Sequence, residues 1–127
     1  MIDKSIYLKL AKNTYTDKII AKASKIELLA FDVDGVLTDG GLYFDHSGQE
    51  SKRFYAQDGH GIKILQSIDI ETMIISGRYS KCVTQRGSEL GIKKIIQGTR
   101  DKLKSFHEKI INLPKEKVCY VGDDTVD

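Results

Sequence analysis

Residues 26–40 read IELLAFDVDGVLTDG: a short apolar run that stops at two aspartates, one residue apart, and a glycine. A run of this length with no polar alternation is what a parallel strand buried on both faces requires. Residues 26–31 are therefore expected to form a strand, with the acidic pair just beyond its carboxyl end. Residues 72–75, 94–97 and 118–121 repeat the apolar pattern. Between these runs, residues 59–67, 80–90 and 100–111 space their apolar side chains at helical intervals, for example Val83 and Leu90, or Leu103, Phe106 and Ile110. The alternation predicts an α/β fold, a Rossmann-like parallel sheet of four strands flanked by crossover helices. Residues 41–45 and 50–54 flank His46-Ser47-Gly48-Gln49, whose Ser-Gly pair is a turn signal, so a β-hairpin is expected there. Open sheets of this class bind ligands beyond the carboxyl ends of their strands. The loops after Phe31, Ile75 and Val121 should therefore meet.

At 127 residues the chain is the size of one domain, residues 1–127, able to bury a core without disulfides or metal staples. Its 40% hydrophobic and 30% charged residues, with 11 Gly and one Pro, exclude disordered and low-complexity classes. Lys and Arg number 20 against 18 Asp and Glu, dispersed rather than in runs, so the net charge of +2 gives no footprint for nucleic acid. A small anionic substrate suits it better. The six lysines of residues 1–25 interrupt any continuous apolar segment, so neither a signal peptide nor a membrane partner is expected and a cytoplasmic location is. Cys119 lies in an apolar run and is read as a buried reduced thiol, and neither it nor Cys82 is read as a catalyst.

Asp32 and Asp34 can divide two tasks. One carboxylate can attack phosphorus while the other exchanges a proton with the leaving oxygen, if a cation neutralises the gathered charge. The plain alternative is a pair of solvated turn aspartates. A calcium loop is the sharper competitor, but it needs a bidentate Glu at position twelve, where Tyr43 stands, and flanking helices rather than a strand and a hairpin. The second loop, Ser76-Gly77-Arg78, sets a hydroxyl, an approachable backbone N–H and a guanidinium before a helix, which suits phosphate or carboxylate. Alone it could be an ordinary cap. Residues 122–127, GDDTVD, again place acid at a carboxyl end, and hard oxygen ligands beside a phosphate favour Mg²⁺ over zinc. Lys102 opens the third helix, where a single lysine would ordinarily be a solvated surface charge.

Acidic pair, hydroxyl loop, lysine and acidic pair follow one another at successive strand ends. In these segments the chain resembles the haloacid dehalogenase-like phosphotransferases. More narrowly, it is similar to the 3-deoxy-D-manno-octulosonate 8-phosphate phosphatase family, through FDVDGVLTDG (31–40), QDGHGI (57–62), Ser76-Gly77-Arg78 and residues 122–127. The match runs from about Lys25 to the last residue.

This resemblance implies that Asp32 is the nucleophile forming an aspartyl-phosphate, and that Asp34 protonates the leaving hydroxyl and then activates water. It implies Mg²⁺ held by the Asp32 carboxylate, the Asp34 backbone carbonyl and Asp123, with Asp124 in support. Ser76, Gly77 and Lys102 would cradle the phosphoryl oxygens. The family's lack of a large cap domain implies a homotetramer in which a neighbouring subunit closes the site. Substrate contacts would come from Tyr55, Ala56, Gln57, Asp58, Gly59, Lys63, Arg78 and Arg86, together with Asp34 and Lys102. Gln57 stands where the family pattern usually has Arg, and a solvated helix face is the plain alternative for Arg86. The implied substrate is 3-deoxy-D-manno-octulosonate 8-phosphate, on the route to a lipopolysaccharide sugar. A nonulosonate 9-phosphate phosphatase and an inactive oligomerising fragment are the rivals. Since the family domain continues past the Gly-Asp-Asp motif, the chain is expected to be truncated at its C-terminus.

Overall fold

The computed structural model describes residues 4–110, 112–125 and 127. Two helices come first, α1 (Lys4–Thr14) and α2 (Asp17–Ala23). The body follows in the order β1 (Leu28–Phe31), β2 (Tyr43–Phe44), β3 (Glu50–Ser51), α3 (Ala56–Ser67), β4 (Glu71–Ile75), α4 (Lys81–Glu89), β5 (Lys94–Ile96), α5 (Lys102–Lys109) and β6 (Val118–Val121). The four long-range strands form one parallel sheet in the order β5-β4-β1-β6. That is the expected Rossmann-like architecture.

Burial on both faces explains the unbroken apolar runs. In β4, Ile74 joins Val33, Leu37, Ile62, Val83, Leu90 and Ile92 on one side, whereas Met73 and Ile75 join Leu28 and Ala30 on the other. Alternate side chains of one strand thus feed two cores, with α3 and α4 over the first, and α5 over the second through Phe106 and Ile110. Leu103, read as part of that apolar face, is 68% exposed. It borders a 440 Å³ cavity with Phe106, Ile110, Leu113 and Val118 beside β6, which among the described residues is an edge strand.

Helix starts differ most from the expected bounds. α3 begins at Ala56, three residues before the expected Gly59, and so carries Ala56–Gly59 in its first turn. Two glycines weaken the local helical signal, and the first packs closely against α4 and its cap: a Cβ on Gly59 would stand 2.5 Å from Arg86 Nη2 and 3.0 Å from Leu90 Cδ2. Ser80 caps α4 by accepting from the Cys82 N–H, and Asp101 caps α5 by accepting from the Lys104 N–H. Ile111, expected to end the third helix, lies outside the described residues, as does Val126 of the last motif. The hairpin pairs only Tyr43 with Ser51 and Phe44 with Glu50, and a single bridge from Thr38 to Phe54 continues it. α1 and α2 were not anticipated from the sequence. Among the described residues no helix is long and apolar enough to cross a membrane. Cys82 and Cys119 are both free and half-buried, so Cys119 is less enclosed than its apolar neighbours suggested.

Candidate active site

Sheet register sets the site. Phe31 lies opposite Ile74 on β4 and Val121 on β6, so Asp32, Ser76 and Gly122 leave the sheet along one edge. The ladder runs one residue past β1, with the Asp32 N–H donating to the Val121 carbonyl at 2.9 Å. Beyond it the chain winds into a tight turn in which the N–H groups of Val36, Leu37 and Thr38 all reach the Val33 carbonyl. Gly35 makes that turn at φ +81°, a conformation costly for side chains with a Cβ. A Cβ there would also overlap the Asp123 carboxylate. The first and last acidic loops are therefore packed in direct contact.

Asp32 is buried, and burial raises its carboxyl above the ordinary value, against hydrogen bonds from the Val33 backbone and Lys102 that lower it. Lys102 reaches over from the start of α5. Its Nζ lies 3.1 Å from Asp32 Oδ1 and 3.3 Å from the Tyr120 hydroxyl, and it pairs with Asp127. Burial works against the ammonium, but hydrogen bonds to Asp127, Asp32 and Tyr120 outweigh it and hold the lysine charged well above its usual range. The Tyr120 phenol, pushed up mainly by burial to about 12, stays protonated and donates to Asp127 Oδ1 at 3.0 Å.

Asp32, Asp123 and Asp127 bring a carboxylate oxygen each within 4.8 Å of one another. With Lys102 as the cation among them, the cluster keeps an excess of negative charge that suits a divalent cation with hard oxygen ligands. Their roles differ. Asp127 Oδ2 accepts from the backbone N–H groups of Asp123 (2.9 Å) and Asp124 (3.0 Å), while Oδ1 takes Lys102 and Tyr120. Its own burial raises its carboxyl, yet these donors prevail and bring it down to about 2. So saturated an acid organises the loop and the lysine. Among the described residues the Asp123 carboxylate meets no donor and stands free beside Asp32 and Gly35. Asp124 turns into its own loop, accepting from the Thr125 N–H and hydroxyl.

Asp34 sits across from this cluster and meets a cation of its own. Lys52, just after β3, has a side chain 1% exposed, with Nζ 2.5 Å from Asp34 Oδ1 and 2.8 Å from Glu50 Oε1. Desolvation opposes its charge, but the bonds to Asp34 and Glu50 raise it overall. Glu50 Oε2 in turn holds Arg78 Nη2 at 3.4 Å. Ser76 is buried at the end of β4, its hydroxyl accepting from the Arg78 N–H, and Gly77 is exposed beside it.

The substrate residues read from the sequence divide spatially. Tyr55 and Asp58 line a 200 Å³ cavity with Leu37, Thr38, Asp39 and Arg53 next to the first loop. Gln57 lies on another cavity wall, with Asp58, Gly61 and Ile62. Arg86 lies against Gly59 and pairs with Glu89 at 3.5 Å, and Lys63 Nζ lies beside Gly91. Neither joins the carboxylate cluster within this chain. Lys52, Glu50, Tyr120 and the tying role of Asp127 were not read from the sequence. Asp127 already stood in the acidic run, but nothing local marks Lys52, which meets its partner 18 residues away in the chain.

The chain is 39% identical over 128 residues to the 3-deoxy-D-manno-octulosonate 8-phosphate phosphatase KdsC of Yersinia pestis, covering 99% of this chain and 68% of that protein. The chain belongs to the 3-deoxy-D-manno-octulosonate 8-phosphate phosphatase family of haloacid dehalogenase-like proteins. The Escherichia coli K12 member is 45% identical over 111 residues, 86% of this chain and 59% of its own length. The chain thus spans about three-fifths to two-thirds of these relatives. A solved family structure from Moraxella catarrhalis, in complex with magnesium ion, phosphate ion and KDO, matches with a TM-score of 0.83 and 41% identity, over 89% of this chain and 66% of the other. No family model matches the sequence.

Proposed function

We propose that this chain is a phosphatase that hydrolyses 3-deoxy-D-manno-octulosonate 8-phosphate to the free sugar acid and phosphate. The observation that carries the reading is the pairing of buried Asp32 with Lys102, beside Asp123, at the carboxyl edge of the sheet. An anionic nucleophile and a phosphate dianion repel, and the Lys102 ammonium offsets that repulsion from a fixed position. Asp32 Oδ attacks phosphorus as the ester P–O bond breaks, and Asp34 gives the leaving sugar oxygen its proton. Asp34 then takes a proton from water, whose oxygen attacks the aspartyl-phosphate and releases Asp32. Ser76, Gly77 and Lys102 hold the phosphoryl oxygens.

The carboxylate cluster suits Mg²⁺, which would be held by the Asp32 carboxylate, the Asp34 backbone carbonyl and Asp123, with Asp124 in support. When bound it supplies charge neutralisation for the nucleophile and the transferring phosphoryl group. Tyr55 to Gly59, Lys63, Arg78 and Arg86 are assigned to the sugar acid. A homotetramer in which a neighbouring subunit closes the site follows from the resemblance to the family. The reading places the protein in the cytoplasm, supplying a lipopolysaccharide sugar.

Phosphate release is the test, measured with Mg²⁺ on this octulosonate ester, a nonulosonate 9-phosphate and a plain hexose phosphate. The octulosonate ester should be preferred, and EDTA should silence the reaction until Mg²⁺ is restored. Preference for the nonulosonate ester would reassign the substrate, and silence on all three would overturn the phosphatase reading.

A further inference from the structure

Lys52 is the most enclosed cation of the ion pairs around the site, and the reaction as described leaves it without a part. A desolvated ammonium is retained only where carboxylates compensate it, and Lys52 has Asp34 and Glu50 within 2.8 Å. Its place is specific. The donor arrives on Oδ1 of Asp34, from the hairpin, whereas Asp34 itself leaves β1 toward the site. Glu50 is anchored in turn by Arg78 at 3.4 Å, and its backbone carbonyl faces Cys82 Sγ at 3.6 Å on α4. The lysine is thus fixed from the body of the protein, not merely from a two-residue strand.

We propose that Lys52 positions the Asp34 carboxylate by occupying Oδ1, which leaves Oδ2 as the one oxygen that exchanges a proton with the ester oxygen and later with water. This rests on the acid-base role of Asp34 given above. The geometry has a chemical consequence. A carboxylate free to rotate presents either oxygen in either orientation, whereas one pinned through Oδ1 presents a single lone-pair set toward the leaving group. In the first step the proton on Oδ2 passes to the ester oxygen as its bond to phosphorus breaks. In the second, Oδ2 takes a proton from water as the water oxygen bonds to phosphorus and the Asp32–phosphorus bond breaks. Throughout, Glu50 gives Lys52 a counterion that does not take part in the transfer, so the ammonium has no reason to follow the proton. Lys52 touches neither substrate nor the reacting atoms in this scheme and is a positioning residue.

The test is the dependence of kcat/KM on leaving-group basicity, because in ester cleavage only poor leaving groups need the acid. Lys52→Met is compared with the unaltered chain on phenyl phosphates of graded pKa and on an alkyl phosphate, with Mg²⁺ present. Loss of positioning should lower kcat/KM, which reports ester cleavage alone, about thirtyfold on the alkyl ester but only about twofold on p-nitrophenyl phosphate, steepening the leaving-group slope. A uniform loss of kcat/KM across the series would mean that Lys52 merely supports the fold, and would overturn the proposal. Should Lys52→Met fold poorly, Glu50→Gln removes the anchor of the lysine while keeping its own shape, and should steepen the same slope to a smaller degree. An unchanged slope there counts against the idea. A double-mutant cycle closes the argument: in an Asp34→Asn background, Lys52→Met should not alter the slope further, and a second additive effect would refute action through Asp34. If the unaltered chain is silent on every ester, the phosphatase reading itself fails and takes this role with it.

Discussion

Gly35 offers the sharpest test of how the two acidic loops are joined. It has φ +81°, and Gly48 in the hairpin turn has φ +80°, so alanine at either position meets the same backbone penalty, about 1–2 kcal/mol. For a chain of 127 residues that corresponds to a fall in Tm of about 4–8 °C. The surroundings differ completely. Nothing lies within 4 Å of a Cβ built on Gly48, whereas one built on Gly35 overlaps Asp123 Oδ2 and stands 2.6 Å from its Cγ. The Asp123 carboxylate would have to retreat by about 1.5 Å or more to restore van der Waals contact. It can do so at modest cost, because it lies at the exposed end of its loop. A Mg²⁺ ligand cannot, since the ion demands oxygens at about 2.0–2.1 Å in near-octahedral order. Both variants should therefore lose similar stability in urea or thermal unfolding. Only Gly35→Ala should also weaken Mg²⁺ binding, by at least about tenfold in a calorimetric titration. Equal Mg²⁺ affinity in the two variants would refute the claim that Asp123 is held for the ion by this contact.

Asp32→Asn should abolish phosphate release while leaving the unfolding midpoint close to that of the unaltered chain, and near-normal turnover with Mg²⁺ would remove Asp32 as nucleophile. Asp34→Asn should slow both formation and breakdown of the phosphoenzyme, read by quenched-flow trapping of labelled phosphate. Lys102→Met leaves Asp32 and Asp127 facing one another without a cation and should cost about 3 kcal/mol in urea unfolding, the low end for a buried pair. The same variant tests the acid limb of stability in metal-free protein. A carboxyl depressed to about 2 stabilises the fold above its ordinary value of 3.8, and that stabilisation fades as pH falls from about 4 toward 2. Lys102→Met should remove most of this pH-dependent loss, no more than about 2 kcal/mol given the exposed position of the loop. Asp32, raised by burial, works in the opposite direction and partly masks the effect. An acid limb unchanged by Lys102→Met would show that the lysine does not set Asp127.

Much of this protein is written locally. Leu28–Phe31, Glu71–Ile75 and Val118–Val121 are legible as strands because burial on both faces requires unbroken apolar runs. The parallel order follows from the helices between them, and that order alone brings Asp32, Ser76 and the last acidic loop to one edge. Chemistry read at strand ends is robust because strand register, not side-chain detail, places it. Helix starts were less legible: Gly59 and Gly61 hide the first turn of α3, and only its close approach to α4 explains why glycine is there. Tertiary structure alone decided which cation meets which carboxylate. Lys102 lies seventy residues from Asp32 in the chain, and Lys52 crosses from a hairpin whose register is fixed by two residue pairs. Lys102 was placed at the site by its motif, whereas nothing in the sequence separates Lys52 from a solvated lysine, because a long flexible side chain acquires its role from the charge waiting where its ammonium can reach. Asp127 likewise stood in view as one more acid, and only folding, which supplies Lys102, Tyr120 and two backbone N–H groups to its two oxygens, separates it from the free carboxylate of Asp123.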